Sequence, residues 1–214
     1  MVSRLRRATL PICSDGFVGK VVGSLKERKL WEMDKLLRRG FRVHAWDGRT
    51  PHALLDADRQ IIAILAGQPN DAMWGEAVSN VSTTLASVEK TCTFSRLQRS
   101  HRRGRFPTLA TGISHGGGQR KPQDIYNTAA NQMKLTELCC NCGIQQIASF
   151  ENGAFAAFAP KAFGRAAVCL QELYNHKPSL RQNFPNSIYP TATFNFGPNA
   201  VCFDHTNEKN SPAT

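Results

Sequence analysis

The sequence predicts a mixed α+β chain, and three observations carry that reading. Apolar residues recur at spacings of three and four within Leu25 to Arg39 and again from Trp74 to Val88, as amphipathic helices require. Phe41-Arg42-Val43-His44-Ala45-Trp46 alternates at period two, the mark of a half-buried strand. Ile61 to Leu65 is a short continuous apolar run, which reads as a second and more fully buried strand. At 214 residues the chain can bury a real core, as one large domain or two small ones.

Taken in order, residues 1–23 form a basic, irregular arm carrying Gly16, Gly19 and Gly23. Ser24 is an acceptable N-cap for a helix from Leu25 to Arg39, whose apolar stripe is Leu30, Met33, Leu36 and Leu37. Gly40 sits at its expected stop. The strand 41–46 follows, and Asp47-Gly48 makes a turn in which Asp47 and Arg49 are expected to pair. Asn70 or Asp71 caps the next helix, with Val78, Val81 and Leu85 continuing the stripe begun by Trp74. Gly112 to Gly118 is too glycine-rich for regular structure. Asp124 can start a helix that runs to about Cys142, with Gly143 as its cap. Ile144 to Phe150 then reads as a strand, and Gly153 to Asn175 as one long Ala/Phe-rich helix with Phe155, Phe158 and Phe163 in the core. Phe184 to Ser187 is a loop, and Thr191 to Phe196 with Val201 to Phe203 supply the last strands. No internal repeat is present.

Composition excludes some classes of function. No stretch approaches the 18 or more apolar residues of a membrane span; the longest apolar run, Ile61 to Ala66, is strand-sized. Arg4, Arg6 and Arg7 are not followed by a hydrophobic segment, so a secretory signal is not expected. Localisation inside the cell, the nucleus included, is the expectation, and the sequon Asn80-Val81-Ser82 then carries no meaning. Seven cysteines without a secretion signal argue for reduced thiols. The cluster Cys139-Cys140-Asn141-Cys142 lacks the paired knuckle or the histidines of a zinc site, which favours structural thiols near a helix end.

The net charge is +11, and most of it sits in one block. Lys90, Arg96, Arg99, Arg102, Arg103, Arg105, Arg120 and Lys121 fall in a stretch with no acidic residue. Attraction to phosphate backbones, DNA or RNA, is the functional reading; a solvated basic loop is the other. Interleaved aromatics are few (Phe94, Phe106), so a stacking platform for single strands is not evident. Within the block, Ser114 to Arg120 could cradle an anion with backbone amides, or form a hairpin or flap. It matches neither phosphate-loop nor dinucleotide-binding spacing. Cys or Ser nucleophiles near a His lack a third group, which sets hydrolase chemistry aside.

The segment after Thr193 carries a different signal. An apolar strand runs into Asp204-His205-Thr206-Asn207, a His-x-Asn one atom type away from the His-x-Asp of a facial-triad iron site. Residues two apart on a strand share a face, so His205 and Asn207 would both point into a barrel, with Asp204 on the other side. Asn207 offers a neutral carbonyl oxygen in place of a carboxylate. Only Glu208 to Thr214 follow, so no distal ligand completes the set.

Several strings resemble a large set of basidiomycete proteins in the Tet-like 2-oxoglutarate/Fe(II)-dependent oxygenase superfamily. They are Gly40 to Pro51, Ile61 to Pro69, His101 to Pro107, Gly112 to Gln119, Phe184 to Ser187 and Ala192 to Pro198, in consistent order across roughly Leu30 to Asn207. The resemblance implies an N-terminal helical and strand part leading into a double-stranded β-helix, here incomplete and jelly-roll-like. It also implies oxidation with Fe(II), 2-oxoglutarate and O2, directed in the Tet relatives at a methylated base extruded from DNA. Residue by residue, His205 carries over as the first iron ligand and Asn207 falls where the family has Asp. The distal His, the basic residue gripping 2-oxoglutarate and the Gly-Gly-His segment have no counterpart.

The expectation is therefore a truncated or degenerate member without catalysis of its own. Its organisation would be an arm at 1–23, one partial oxygenase domain over 24–207 and a polar tail at 208–214. A noncatalytic nucleic-acid-binding module using residues 90–121 is the alternative. With half of the β-helix missing, strand edges would stand unpaired and residues after Thr191 would pack loosely.

Overall fold

A computed structural model describes residues 30–115 and 119–203, together with the backbone of two short paired strands, β1 (Ile12–Cys13) and β2 (Gly16–Phe17). The chain is mixed α+β: among the described residues there are six helices and small antiparallel sheets, none closed into a barrel. It divides into two compact units, one of residues 1–69, 102–104 and 201–214, the other of 70–101 and 105–200.

In the first unit, helix α1 covers only Met33–Arg38 and buries no residue. The apolar stripe foreseen for a longer helix is largely exposed, at Leu30, Met33 and Leu37, and the segment from Ser24 to Lys29 lies outside the described residues. The stop is as expected. Gly40 adopts φ +87°, its amide donates to Leu36's neighbour Leu37, and the Phe41 amide reaches back to Leu36. That pair of bonds is a Schellman ending, which satisfies two carbonyls the helix leaves open.

The strand expected over 41–46 does not form. Phe41, Val43 and Trp46 are exposed, and alternation without a partner strand leaves nothing to bury. The ladder forms one step later, between β3 (His52–Leu55) and β4 (Ile61–Leu65), with a bulge at Leu54/Leu55. Their turn is organised by Asp56, 1% exposed, whose carboxylate accepts from the amides of Asp58 and Gln60 at 2.9 and 2.8 Å. β4 is not the buried strand its composition suggested, since Ile61 and Ile62 are 50% and 38% exposed.

The second unit holds the hydrophobic core. Helix α2 (Trp74–Glu89) runs as the spacing predicts, turning Val81, Leu85 and Val88 inward, but its N-cap is Met73 rather than Asn70 or Asp71 and makes no side-chain cap bond; Asp71 instead accepts the Met73 amide at 2.8 Å ahead of the helix. A one-turn helix α3 (Arg96–Arg99) starts with a capping box between Ser95 and Gln98. Strand β5 (Thr108–Ser114) is the centre of a three-stranded sheet, flanked by β6 (Gln123–Asp124) and β7 (Thr191–Asn195). Regular structure thus continues through Gly112 into the stretch that composition marks as irregular. Gly112 takes φ +110°, and a Cβ there would lie 2.1 Å from the Pro190 carbonyl oxygen. Only glycine lets β5 pass that close to the chain entering β7.

Asp124 lies in β6 rather than at a helix start, and its carboxylate accepts the Arg181 amide at 3.0 Å. Helix α4 (Ala129–Cys140) is capped instead by Thr128. Asn141 ends α4 and caps α5 (Cys142–Phe158), which replaces the strand expected at 144–150. A short apolar run looks the same in a buried strand and in a buried helix, and the Asn141 side chain accepting from the Ile144 amide settles it as a helix. Gly143 lies inside α5, against Ala77 and Val81 of α2, where a Cβ would approach within 2.8 Å of the Val81 methyl. The long helix expected over 153–175 is two helices. α5 stops at Phe158, and α6 (Pro160–His176) begins with Pro160, whose ring and missing amide suit a first turn but not an interior. Phe155 and Phe163 meet edge-on at 6.3 Å, while Phe158 is 42% exposed rather than core.

Leu109, Leu135, Leu138, Cys139, Ile144, Phe184, Phe194 and Phe196 form the centre of the core with Val88 and Phe94. Phe94 and Phe196 pack edge to face at 5.4 Å. Residues 191–196, expected to pack loosely, are therefore well packed: β7 pairs with β5 along its full length, and Phe196 is 1% exposed. The strand expected at 201–203 is absent; there the Phe203 amide donates to the Arg103 carbonyl at 2.7 Å.

Candidate functional site

The residues expected to hold iron, His205 and Asn207, lie outside the described residues. Among the described residues no group of three or more His, Cys, Asp or Glu side chains comes together to hold a metal. The donor set itself does not fit Fe(II). One imidazole and one neutral amide oxygen leave a divalent cation without the carboxylate that facial-triad chemistry uses. No reaction step is derived through iron.

The basic residues are mostly on display. Arg96 and Arg99 are exposed on α3, Arg102 and Arg105 are exposed beyond it, and Arg103 is half-buried. Arg120 and Lys121 are exposed in the connection between β5 and β6, whose register pairs Ser114 with Gln123. That connection is a hairpin, braced where the Ser114 hydroxyl donates to the Gln119 side-chain Oε1 at 3.1 Å; Gly116 to Gly118 lie outside the described residues. The Arg99 guanidinium lies 5.2 Å from the centre of the Phe94 ring, which ties α3 to a core aromatic. Buried Asn131 fixes the approach to α3: its carbonyl oxygen accepts the Thr93 amide at 3.0 Å and its NH2 donates to the Thr93 carbonyl at 2.6 Å. None of Arg96, Arg99, Arg102, Arg105, Arg120 and Lys121 makes an ion pair. Ion pairs form elsewhere, between Lys35 and Glu32 and between Lys134 and Glu137.

The cysteine cluster sits at the α4–α5 junction. Cys139 is buried in the core, and burial pushes its thiol up to about 11, with Cys140 adding to the shift; Cys140 and Cys142 are exposed. The Asp47 turn forms as expected, though its partners differ. Asp47 accepts from the amides of Arg49 and Thr50, both at 2.8 Å, and from the Thr50 hydroxyl at 2.6 Å, rather than from the Arg49 guanidinium. These bonds, the hydroxyl's first, hold its carboxyl down to about 2.

Two features are absent from the reading by composition. A shallow cavity of about 180 Å³ lies beside α6, lined by Phe163, Leu170, Tyr174, Gln182 and Ile188, below the size of an ordinary small-molecule site. His44 and His52 face each other with ring centroids 4.7 Å apart. The signal available in the sequence was two histidines flanking an Asp-Gly turn.

No family model matches the chain, and neither the curated proteins nor the solved structures include a match to it.

Proposed function

We propose that this chain is a Tet-like 2-oxoglutarate/Fe(II) oxygenase homologue that does not turn over on the residues it carries. The observation supporting common ancestry is the β5–β7 ladder. Two separate strings with the family's pattern, Gly112 to Gln119 and Ala192 to Pro198, abut there without pairing residue for residue: Gly112, the first of one, lies opposite Thr191, and Ala192, the first of the other, lies opposite Thr111. On this reading β6, β5 and β7 are early strands of a double-stranded β-helix. The absence of turnover rests on Asn207, whose neutral amide oxygen stands where the family has the Asp carboxylate. The test is incubation with Fe(II), 2-oxoglutarate, O2 and a methylcytosine-containing duplex. No succinate above the iron-only background is expected. Succinate formed in proportion to protein overturns the reading.

A second reading has its own observation: six exposed cationic side chains at 96–121 that the fold does not use in ion pairs. It makes the chain a noncatalytic nucleic-acid-binding module that holds phosphates without reading sequence. Binding to duplex DNA then falls steeply with salt, and neutralising Arg96 and Arg99 together lowers the log–log salt slope by about 1 to 2. No binding at low salt ends this reading and leaves the first untouched.

A further inference from the structure

We propose that His44 and His52 form a binding site for a late first-row divalent cation of the nickel, copper and zinc class. The Asp47 turn builds it. Three bonds into the Asp47 carboxylate and a fourth from the Trp46 indole to the Thr50 carbonyl at 2.7 Å fold the chain back on itself. This brings the histidine before the turn onto the one that opens β3, with ring planes inclined by 54°.

Two facts point to a cation rather than to simple ring packing. The His44 Nε2 atom is buried and has no hydrogen-bond partner. Buried ring nitrogens are ordinarily satisfied, and in the tautomer protonated on Nδ1 the Nε2 lone pair is free to bind a metal. The spacing also fits. With metal–nitrogen bonds of about 2.0 to 2.1 Å, two imidazoles on one cation at bond angles of about 90 to 110° place their ring centroids roughly 4.5 to 5.5 Å apart. The observed 4.7 Å lies inside that range. Two neutral imidazoles select nickel, copper and zinc over the hard cations. The site is independent of His205 and of the oxygenase reading.

The experiment is calorimetric titration of the full chain with nickel(II) chloride at pH 7.5 under a non-thiol reductant, with thermal unfolding measured alongside. One cation per chain and a rise in Tm with nickel concentration are expected. His44→Phe and His52→Phe keep ring packing but lose the ligand nitrogen, and each weakens binding about tenfold or more. Cys140→Ser/Cys142→Ser and His205→Ala retain the wild-type affinity. The proposal is overturned if the wild type binds no nickel or if both phenylalanine variants bind as it does. It is likewise overturned if the cysteine or His205 variant abolishes binding.

Discussion

Replacing Gly112 by alanine tests whether the β5–β7 contact is set by the backbone itself. The added Cβ would lie 2.1 Å from the Pro190 carbonyl oxygen, 2.8 Å from the Thr191 Cα and 3.0 Å from the Asn183 Nδ2, at φ +110°. Both of the nearer atoms are backbone and cannot swing aside. Holding a non-glycine residue at such a φ costs about 1 to 3 kcal/mol. Forcing apart a packed contact costs about as much again, roughly 1 to 3 kcal/mol. The sum is near 4 kcal/mol, enough to lower Tm by about 8 to 16 °C in a chain of this size. The assay is urea unfolding followed by far-UV circular dichroism, with the midpoint compared at constant slope. Two controls isolate the cause. Gly40→Ala meets open space at φ +87° and should cost only about 1 to 2 kcal/mol. Gly164→Ala, in α6 with open space around it, should stabilise by about 0.5 to 1 kcal/mol. A loss below about 1 kcal/mol for Gly112→Ala would refute the argument, because the strand entry would then have somewhere to move.

Asn131→Ala removes both bonds to Thr93 and should cost about 2 kcal/mol, with faster amide exchange at Thr93 as its local signature. Cys139 should react with a thiol probe far more slowly than Cys140 or Cys142 at pH 8. Because its folded thiol is raised to about 11 from an ordinary 9.0, its contribution to stability is complete below pH 9 and lost as pH climbs toward 11. An alkaline titration that shows no such decline in the wild type relative to Cys139→Ala contradicts this. Asp47, held down to about 2, should keep its turn until pH falls from near 3.8 towards 2, as read from its carboxyl carbon shift. A titration midpoint at an ordinary carboxylate value would show that the turn is open in solution.

Local chemistry was legible where one residue's side chain decides the geometry. The Gly40 stop, the Asp47 turn and the α2 stripe follow from single residues or from a single periodicity. What was not legible depends on a partner distant in sequence. Phe41 to Trp46 alternates well but finds no strand to pair with, while Thr108 to Ser114, with a glycine inside it, is buried because β7 lies beside it. Ile144 to Phe150 is helical because Asn141 caps it and α2 receives it, facts an apolar run does not contain. Pro160 was readable, since a proline between two helical stretches marks a first turn more often than an interior. At the site level, the exposure of the arginines follows from composition. The His44–His52 approach does not, because it needs the turn to close first.

The β5–β7 ladder also has a history in time. Thr191 bonds to the Ile113 carbonyl across 78 positions of chain. At synthesis rates of about 5 to 20 residues per second, β5 leaves the ribosome roughly 4 to 16 seconds before its main partner exists. Throughout that interval the apolar side chains of Leu109 and Ile113, buried in the finished protein, have only α2, α3 and the helices that follow β5 to shelter them. The nascent protein thus passes through a stage in which its central strand waits, and chaperone dependence during translation should peak before β7 emerges.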